Sequence, residues 1–130
     1  MFRAVLGEKV PAQLNRYKMQ VNFFTPAFCY EELRKHIPKI AKARNLPIEP
    51  LYEAIEKLEK VVIPLDEEIY VHRGREAKRR ISERDINDWP IVALALLLNC
   101  PVWTEDQDFF GTGLSTWNSR NIEIYLRNDN

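Results

Sequence analysis

The most restrictive feature of the sequence is an apolar run, residues 89–98, that has acidic residues on both sides. The run is long enough for a buried helix, and the short apolar segment at 101–104 that follows it predicts a buried strand. In an open α/β sheet, ligands bind at the carboxyl edge of the strands, where acids placed before such a helix and after such a strand would meet. The stretch therefore predicts a site formed by acids that precede and follow the run: Asp85, Asp88, Glu105, Asp106 and Asp108.

Length and periodicity predict a single α/β domain over residues 1–130. Apolar positions spaced by three or four residues predict helices, and short β-branched or aromatic runs between them predict strands. Helices that alternate with strands favour a layered fold with a mainly parallel sheet. Four strands are predicted, at 21–25, 61–63, 101–104 and 122–126.

Local signals place several helix boundaries. Residues 2–18 predict an amphipathic helix, and Thr25-Pro26 predicts a helix start with Thr25 as N-cap and Pro26 at the first helical position. The region 66–81 is basic and predicts an exposed helix that Gly74 weakens.

Charge and targeting signals restrict the partners. With 19 basic and 19 acidic residues, no net field attracts nucleic acid, so a polyanion would need a local basic patch. Such a patch is available in Arg73, Arg75, Arg79 and Arg84, although a charge run is more often a solvated face. The sequence shows neither a signal peptide nor an apolar run long enough to span a membrane, which predicts a cytoplasmic protein.

The acids have both a chemical and a structural interpretation. Carboxylates at strand ends suit a hard cation such as Mg²⁺ or Mn²⁺, whereas no Cys/His spacing resembles a zinc site. Asp88 could equally cap the apolar helix, a contribution of about 1 kcal/mol. Asp106 and Asp108 could be turn residues, but three carboxylates within residues 104–108 favour a counter-ion.

Helical phase separates two further acids. In the helix after Pro26, Glu31 falls on the solvent side, while Glu32 flanks the apolar stripe and can reach a sheet edge. The structural alternative for Glu32 is an i,i+4 pair with His36.

These residues resemble those of PIN-domain nucleases, the family that includes VapC-type toxins of toxin-antitoxin pairs. The resemblance is strongest over residues 84–110, where Asp-x-x-Asp-Trp-Pro and then Thr-Glu-Asp-Gln-Asp-Phe resemble the family's third and fourth acid motifs. It implies that Glu32, Asp88 and Asp106 bind Mg²⁺ or Mn²⁺, with Asp108 as an auxiliary catalytic acid. It also implies a three-layer sandwich with a parallel central sheet, cleavage of single-stranded RNA, an antitoxin partner and frequent homodimers.

One element of the family pattern is not found. The resemblance implies a first strand that ends in an acid before the first helix, whereas this sequence starts at Met1 within or just before that helix. We therefore expect a PIN-like domain without the family's first strand and first catalytic Asp. Two functions follow as alternatives: a metal-dependent endoribonuclease, or an inactive PIN-like module that pairs with an antitoxin or with itself.

Overall fold

A computed structural model describes residues 5–128, with the side chain of Asn128 left out. The described chain is of the mixed α/β class, as predicted, with more helix than strand and only parallel strand pairs. It divides into two compact units, Met1–Leu65 and Asp66–Asn130. Each unit contains one two-stranded parallel sheet.

The first unit packs three helices and one strand pair. Its elements are α1 (Lys9–Tyr17), β1 (Phe23–Pro26), α2 (Ala27–Ala43), α3 (Ile48–Glu59) and β2 (Val62–Leu65). Strand β1 pairs with β2 from Phe23 opposite Val62 to Pro26 opposite Leu65. The buried Tyr30 hydroxyl donates a 2.6 Å hydrogen bond to the Val62 carbonyl, which ties α2 to the strand pair.

The second unit surrounds the apolar run. Its helices are α4 (Glu67–Tyr70), α5 (Gly74–Ile81), α6 (Trp89–Leu98) and α7 (Ile122–Asn128), and its strands are β3 (Val102–Trp103) and β4 (Thr116–Trp117). Three 3₁₀ turns link them, at Val71–Arg73, Ile86–Asp88 and Gln107–Phe109. The strands pair in parallel, Val102 opposite Thr116 and Trp103 opposite Trp117.

Helix α6 forms the core of the second unit, as the apolar run predicted. Five of its residues are buried: Pro90, Val92, Ala93, Leu94 and Ala95. At its start, Trp89 packs edge-to-face on Tyr70, with ring centroids 5.8 Å apart. Gly74 begins α5 and does not weaken its interior; a Cβ at this position would lie 3.2 Å from the Trp89 ring, so glycine permits the close approach.

The predicted strand at 122–126 is wrong, because these residues form helix α7. Ile122, Ile124 and Leu126 alternate as in a strand, but Ile124 is exposed while Ile122 and Leu126, one helical turn apart, are buried. The turn before the helix is closed by a reciprocal pair of hydrogen bonds. The side-chain Oδ1 of Asn118 accepts a 3.1 Å hydrogen bond from the backbone N–H of Asn121. The side-chain Oδ1 of Asn121 accepts a 2.8 Å hydrogen bond from the backbone N–H of Asn118.

The predicted starts of two helices differ from the structure or lie partly outside the described residues. Thr25 is not an N-cap, because it lies buried within β1 and helix α2 begins only at Ala27. The helix predicted over 2–18 is observed over Lys9–Tyr17, and residues 1–4 lie outside the described residues. Within residues 5–128, no helix has both the length and the apolar character needed to cross a membrane.

Candidate metal centre

Two short turns of the second unit carry the acids, and both are built in the same way. Asp85 precedes the 3₁₀ turn Ile86–Asp88, and its carboxylate accepts a 3.1 Å hydrogen bond from the Asn87 N–H. Asp106 precedes the turn Gln107–Phe109, and its carboxylate accepts a 2.9 Å hydrogen bond from the Asp108 N–H. Each turn thus starts with a capping aspartate and carries a second aspartate within it.

The two turns bring three carboxylates together. One oxygen each from Asp85, Asp88 and Asp108 lies within 4.8 Å of the other two. Asp85 is exposed, while Asp88 and Asp108 are partly buried. The cluster therefore has solvent access on one side and protein on the other.

Asp88 is the most strongly perturbed acid of the cluster. Burial, followed by the charges of Asp85, Asp106 and Asp108, raises the pKa of the Asp88 carboxyl to about 6. Asp88 occupies the N-cap position of α6, but its side chain makes no capping hydrogen bond. The side chain of Asp88 therefore does not cap helix α6, and its carboxylate lies near other negatively charged carboxylates.

The other acids of the 104–108 segment have local hydrogen bonds. Glu105 accepts a 2.7 Å hydrogen bond from the Ser119 N–H, which ties the segment after β3 to the turn before α7. The Asp106 N–H donates to the Thr104 hydroxyl at 3.0 Å, while the Asp106 carboxylate holds the Asp108 N–H. Asp106 is thus fixed as the cap of the turn that presents Asp108, and it lies close enough to Asp88 to affect its pKa.

Glu32 belongs to the first unit. It is exposed on helix α2, and its carboxylate lies 3.5 Å from the His36 Nε2, one helical turn away. This is the i,i+4 pair that the sequence offered as the structural alternative. The predicted role of Glu32 as a metal ligand stays a prediction.

The four arginines of the predicted basic patch have different surroundings. Arg73, in the 3₁₀ turn before α5, lies 4.0 Å from a Glu76 carboxylate oxygen, and Arg79 lies 3.8 Å from the same carboxylate. Arg75 and Arg84 are exposed. Arg79 and Arg84 also line an open groove, together with residues 110–113.

The spacing of the carboxylates fits a hard divalent cation. Oxygens on opposite sides of an octahedral ion with bonds of about 2.1 Å are about 4.2 Å apart. Adjacent oxygens of such a shell are only about 3.0 Å apart. The three oxygens, which lie within 4.8 Å of one another, are therefore near enough to share one ion if the side chains move closer together. Burial and then the neighbouring negative charges raise the pKa of the Asp88 carboxyl, and the positive charge of a cation would favour its ionised form.

Comparison with known families agrees with this chemistry. The family model described as PIN domain matches residues 1–127, so the chain belongs to the PIN-domain family. Membership supports a nuclease-type function, and proteins of this family generally depend on a divalent metal, which the acidic cluster suits. Comparisons with curated proteins and with solved structures gave no significant match.

Asp85 is one of the acids predicted around the apolar run, but the family resemblance implies only Glu32, Asp88 and Asp106 as metal ligands. Asp85 is a cap, yet one of its oxygens also belongs to the cluster. The available signal was its position three residues before Asp88, which lets a single 3₁₀ turn bring both carboxylates to one side.

Proposed function

We propose that the chain is a Mg²⁺- or Mn²⁺-dependent endoribonuclease of VapC type that cleaves single-stranded RNA. The observation that carries the proposal is the convergence of Asp85, Asp88 and Asp108 in a chain of the PIN-domain family. Hard carboxylate oxygens with adjacent solvent access suit a cation that keeps several waters and accepts a phosphate oxygen. The family match spans both compact units, which supports the further proposal that residues 1–130 act as one PIN-like domain.

The chain's residues have separable roles in this proposal. Asp85, Asp88 and Asp108 each offer one carboxylate oxygen to the cation. Asp106 positions Asp108 by holding its backbone N–H, and it adds negative charge beside the site. When bound, the ion would polarise the scissile phosphoryl group and lower the pKa of an attacking water.

The pKa of Asp88 indicates whether this carboxyl group is available to a cation at neutral pH. Asp88 titrates near pH 6 without metal, so most of its carboxyl groups are ionised at pH 7.5. In this ionised state the neighbouring carboxylates repel one another, and a bound divalent ion would offset that repulsion. Without metal, the Asp88 carboxylate is therefore mostly ionised at neutral pH and can bind a cation.

The test is cleavage of a fluorescently labelled single-stranded RNA in the presence of Mg²⁺, Mn²⁺ or EDTA. Loss of groups that merely orient ligands often costs 10–100-fold, so Asp88→Asn and Asp108→Asn should lower activity by at least about 100-fold. Asp106→Asn should lower activity less if it acts mainly by positioning Asp108. Glu32→Gln tests the ligand role predicted for Glu32.

Asp66→Asn is the matched control. Asp66 also occupies an N-cap position in the second unit without a side-chain capping bond, but it lies outside the cluster. It should leave cleavage unchanged. Cleavage that survives EDTA, or that Asp88→Asn and Asp108→Asn leave intact, would contradict the proposal.

We further propose a cytoplasmic toxin that pairs with an antitoxin and forms homodimers, on the basis of the resemblance to VapC-type toxins. Ile69 and Val71 are exposed apolar side chains close together in sequence, and they offer a surface for a protein partner. Sedimentation analysis of the wild-type chain and of Val71→Ser tests self-association through this surface. Self-association without any metal-dependent cleavage would instead favour the alternative, an inactive PIN-like binding module.

A further inference from the structure

A groove of about 470 Å³ runs between the end of helix α5 and the loop after the third 3₁₀ turn, Gln107–Phe109. One side carries three arginines and one acid: Arg79, Arg80, Arg84 and Glu83. The other side is the segment Phe110 to Gly113. The side chains that line it therefore have a net positive charge, in contrast to the carboxylate cluster.

Arg80 fixes the shape of the groove. Its guanidinium donates to the Thr112 carbonyl at 2.8 Å and to the Glu76 carboxylate at 2.9 Å, so it links helix α5 to the loop. Gly113 has a φ of +84°, a conformation that favours glycine, and a Cβ there would lie 2.6 Å from the Arg80 Nη1, so the guanidinium would have to move away from its present position. The groove is held open by a defined contact between segments that are far apart in sequence.

Arg79 and Arg84 remain available to a ligand. The Arg79 side chain is 74% exposed and lies 3.8 Å from Glu76, a distance longer than a direct hydrogen bond. Arg84 is exposed and follows α5. Guanidinium groups in this position can each bind a phosphate through two parallel hydrogen bonds.

Phe110 adds an aromatic surface to the same groove. Its neighbour Phe109 is buried at 2% exposure and anchors the turn, whereas Phe110 is 54% exposed. Gly111 has a φ of +89° and open space around it, so the groove beside Phe110 is not obstructed by a side chain. An exposed aromatic ring beside arginines is the combination on which single-stranded nucleic acids stack bases while their phosphates are neutralised.

We propose that this groove binds a segment of single-stranded RNA, with a base stacked on Phe110 and phosphates at Arg79 and Arg84. The inference rests on the proposed function and gives it a substrate-positioning surface. The two segments that line the groove also carry the acids, since Arg84 directly precedes Asp85 and Phe110 lies two residues after Asp108. Consecutive Cα atoms are about 3.8 Å apart, so the backbone of Arg84 and Phe110 lies close to the backbone of the acids.

This continuity argues against an acidic peptide as the occupant. A peptide that bound the arginines through carboxylates would supply no phosphoryl group to the cation that the proposed function places at Asp85 and Asp88. It would also leave the Phe110 ring without a flat partner. The groove therefore suits a polyanion whose units alternate a phosphate and an aromatic base.

The test is binding of a short fluorescein-labelled oligouridylate, measured by fluorescence anisotropy in EDTA so that the RNA stays intact. Phe110→Leu keeps an apolar side chain but removes the ring, and it should weaken binding roughly tenfold. Arg79→Gln and Arg84→Gln should each reduce the slope of log K against log salt by about 0.7. The controls Phe24→Leu, at another exposed phenylalanine, and Arg120→Gln, at an exposed arginine outside the groove, should match the wild type.

An abasic oligonucleotide separates stacking from charge. The wild type should bind it more weakly than oligouridylate, whereas Phe110→Leu should bind the two about equally. Binding that does not change with Phe110→Leu, or polyglutamate that competes better than RNA through the same arginines, would overturn the inference. Binding is measured in EDTA, so its result does not depend on catalysis. If RNA binds as expected but is not cleaved when metal is added, only the proposed function is contradicted. If RNA is cleaved with metal but these substitutions do not change binding, only the groove proposal is contradicted.

Discussion

Replacing Asp88 by asparagine should stabilise the protein in the absence of metal. The substitution keeps the size and shape of the side chain but removes a charge that faces Asp85, Asp106 and Asp108. A shift of the Asp88 pKa from 3.8 to about 6 corresponds to about 3 kcal/mol at 1.36 kcal/mol per unit. Because the carboxyl is only partly buried, solvent screening should reduce the gain to about 1 kcal/mol.

The pH dependence of this gain has a definite sign. The folded-state pKa of Asp88 is raised, so the folded protein holds its proton more strongly than the unfolded chain and loses stability as pH rises from about 4 to 6. Above pH 6 the wild type has the full penalty, and below pH 4 it has none. The advantage of Asp88→Asn should thus be largest at neutral pH and disappear towards pH 4.

Divalent metal should reverse the order of the two proteins. At Mg²⁺ or Mn²⁺ concentrations ten times the Kd, ligand binding stabilises the wild type by about 1.4 kcal/mol, while Asp88→Asn should gain little. The assay is urea unfolding at pH 7.5 in EDTA and in metal, with Asp66→Asn as the control for removing an acid from an N-cap position. The reasoning is refuted if Asp88→Asn is less stable than the wild type in EDTA, or if metal stabilises both equally.

Two further substitutions test how the second unit is built. Gly113→Ala should destabilise the unit by about 2 kcal/mol, because of the positive φ and the nearby Arg80. Gly111→Ala, at a similar φ but with no neighbouring atom, should cost only about 1 kcal/mol. Equal losses of stability in urea unfolding would contradict the contribution of Arg80. Asn118→Ala should cost about 1 kcal/mol by removing the acceptor that closes the turn before α7, and an unchanged unfolding midpoint would show that the helix does not depend on it.

The sequence predicted the centre of the second unit well, because local signals there agree with the tertiary structure. The run from Trp89 to Leu98 is apolar on every side, which favours a buried helix, and five of its ten residues are buried. The acids next to it were predicted as a group, because they come directly before the helix and directly after the strand that follows it. The family resemblance did not include Asp85 among the metal ligands, whereas in the structure its carboxylate both accepts the hydrogen bond from the Asn87 N–H and offers an oxygen to the cluster.

Other features depend on contacts between distant residues and had no local signal. The alternation of Ile122, Ile124 and Leu126 favours a strand, and only the burial of two of them identifies the helix. The groove depends on the bond between Arg80 and the Thr112 carbonyl, 32 residues apart in sequence. Adjacent phenylalanines give no indication of which is exposed, so the difference between Phe109 and Phe110 emerges only from the fold.

The central claim is that Asp85, Asp88 and Asp108 together bind a divalent cation, and titration calorimetry with Mn²⁺ at pH 7.5 tests it most directly. The wild type and Asp66→Asn should show a single class of site with the same affinity. Asp85→Asn, Asp88→Asn and Asp108→Asn should each weaken binding at least about tenfold, since each removes one carboxylate ligand. Mn²⁺ affinity that stays unchanged in all three variants would show that these carboxylates do not form the metal centre.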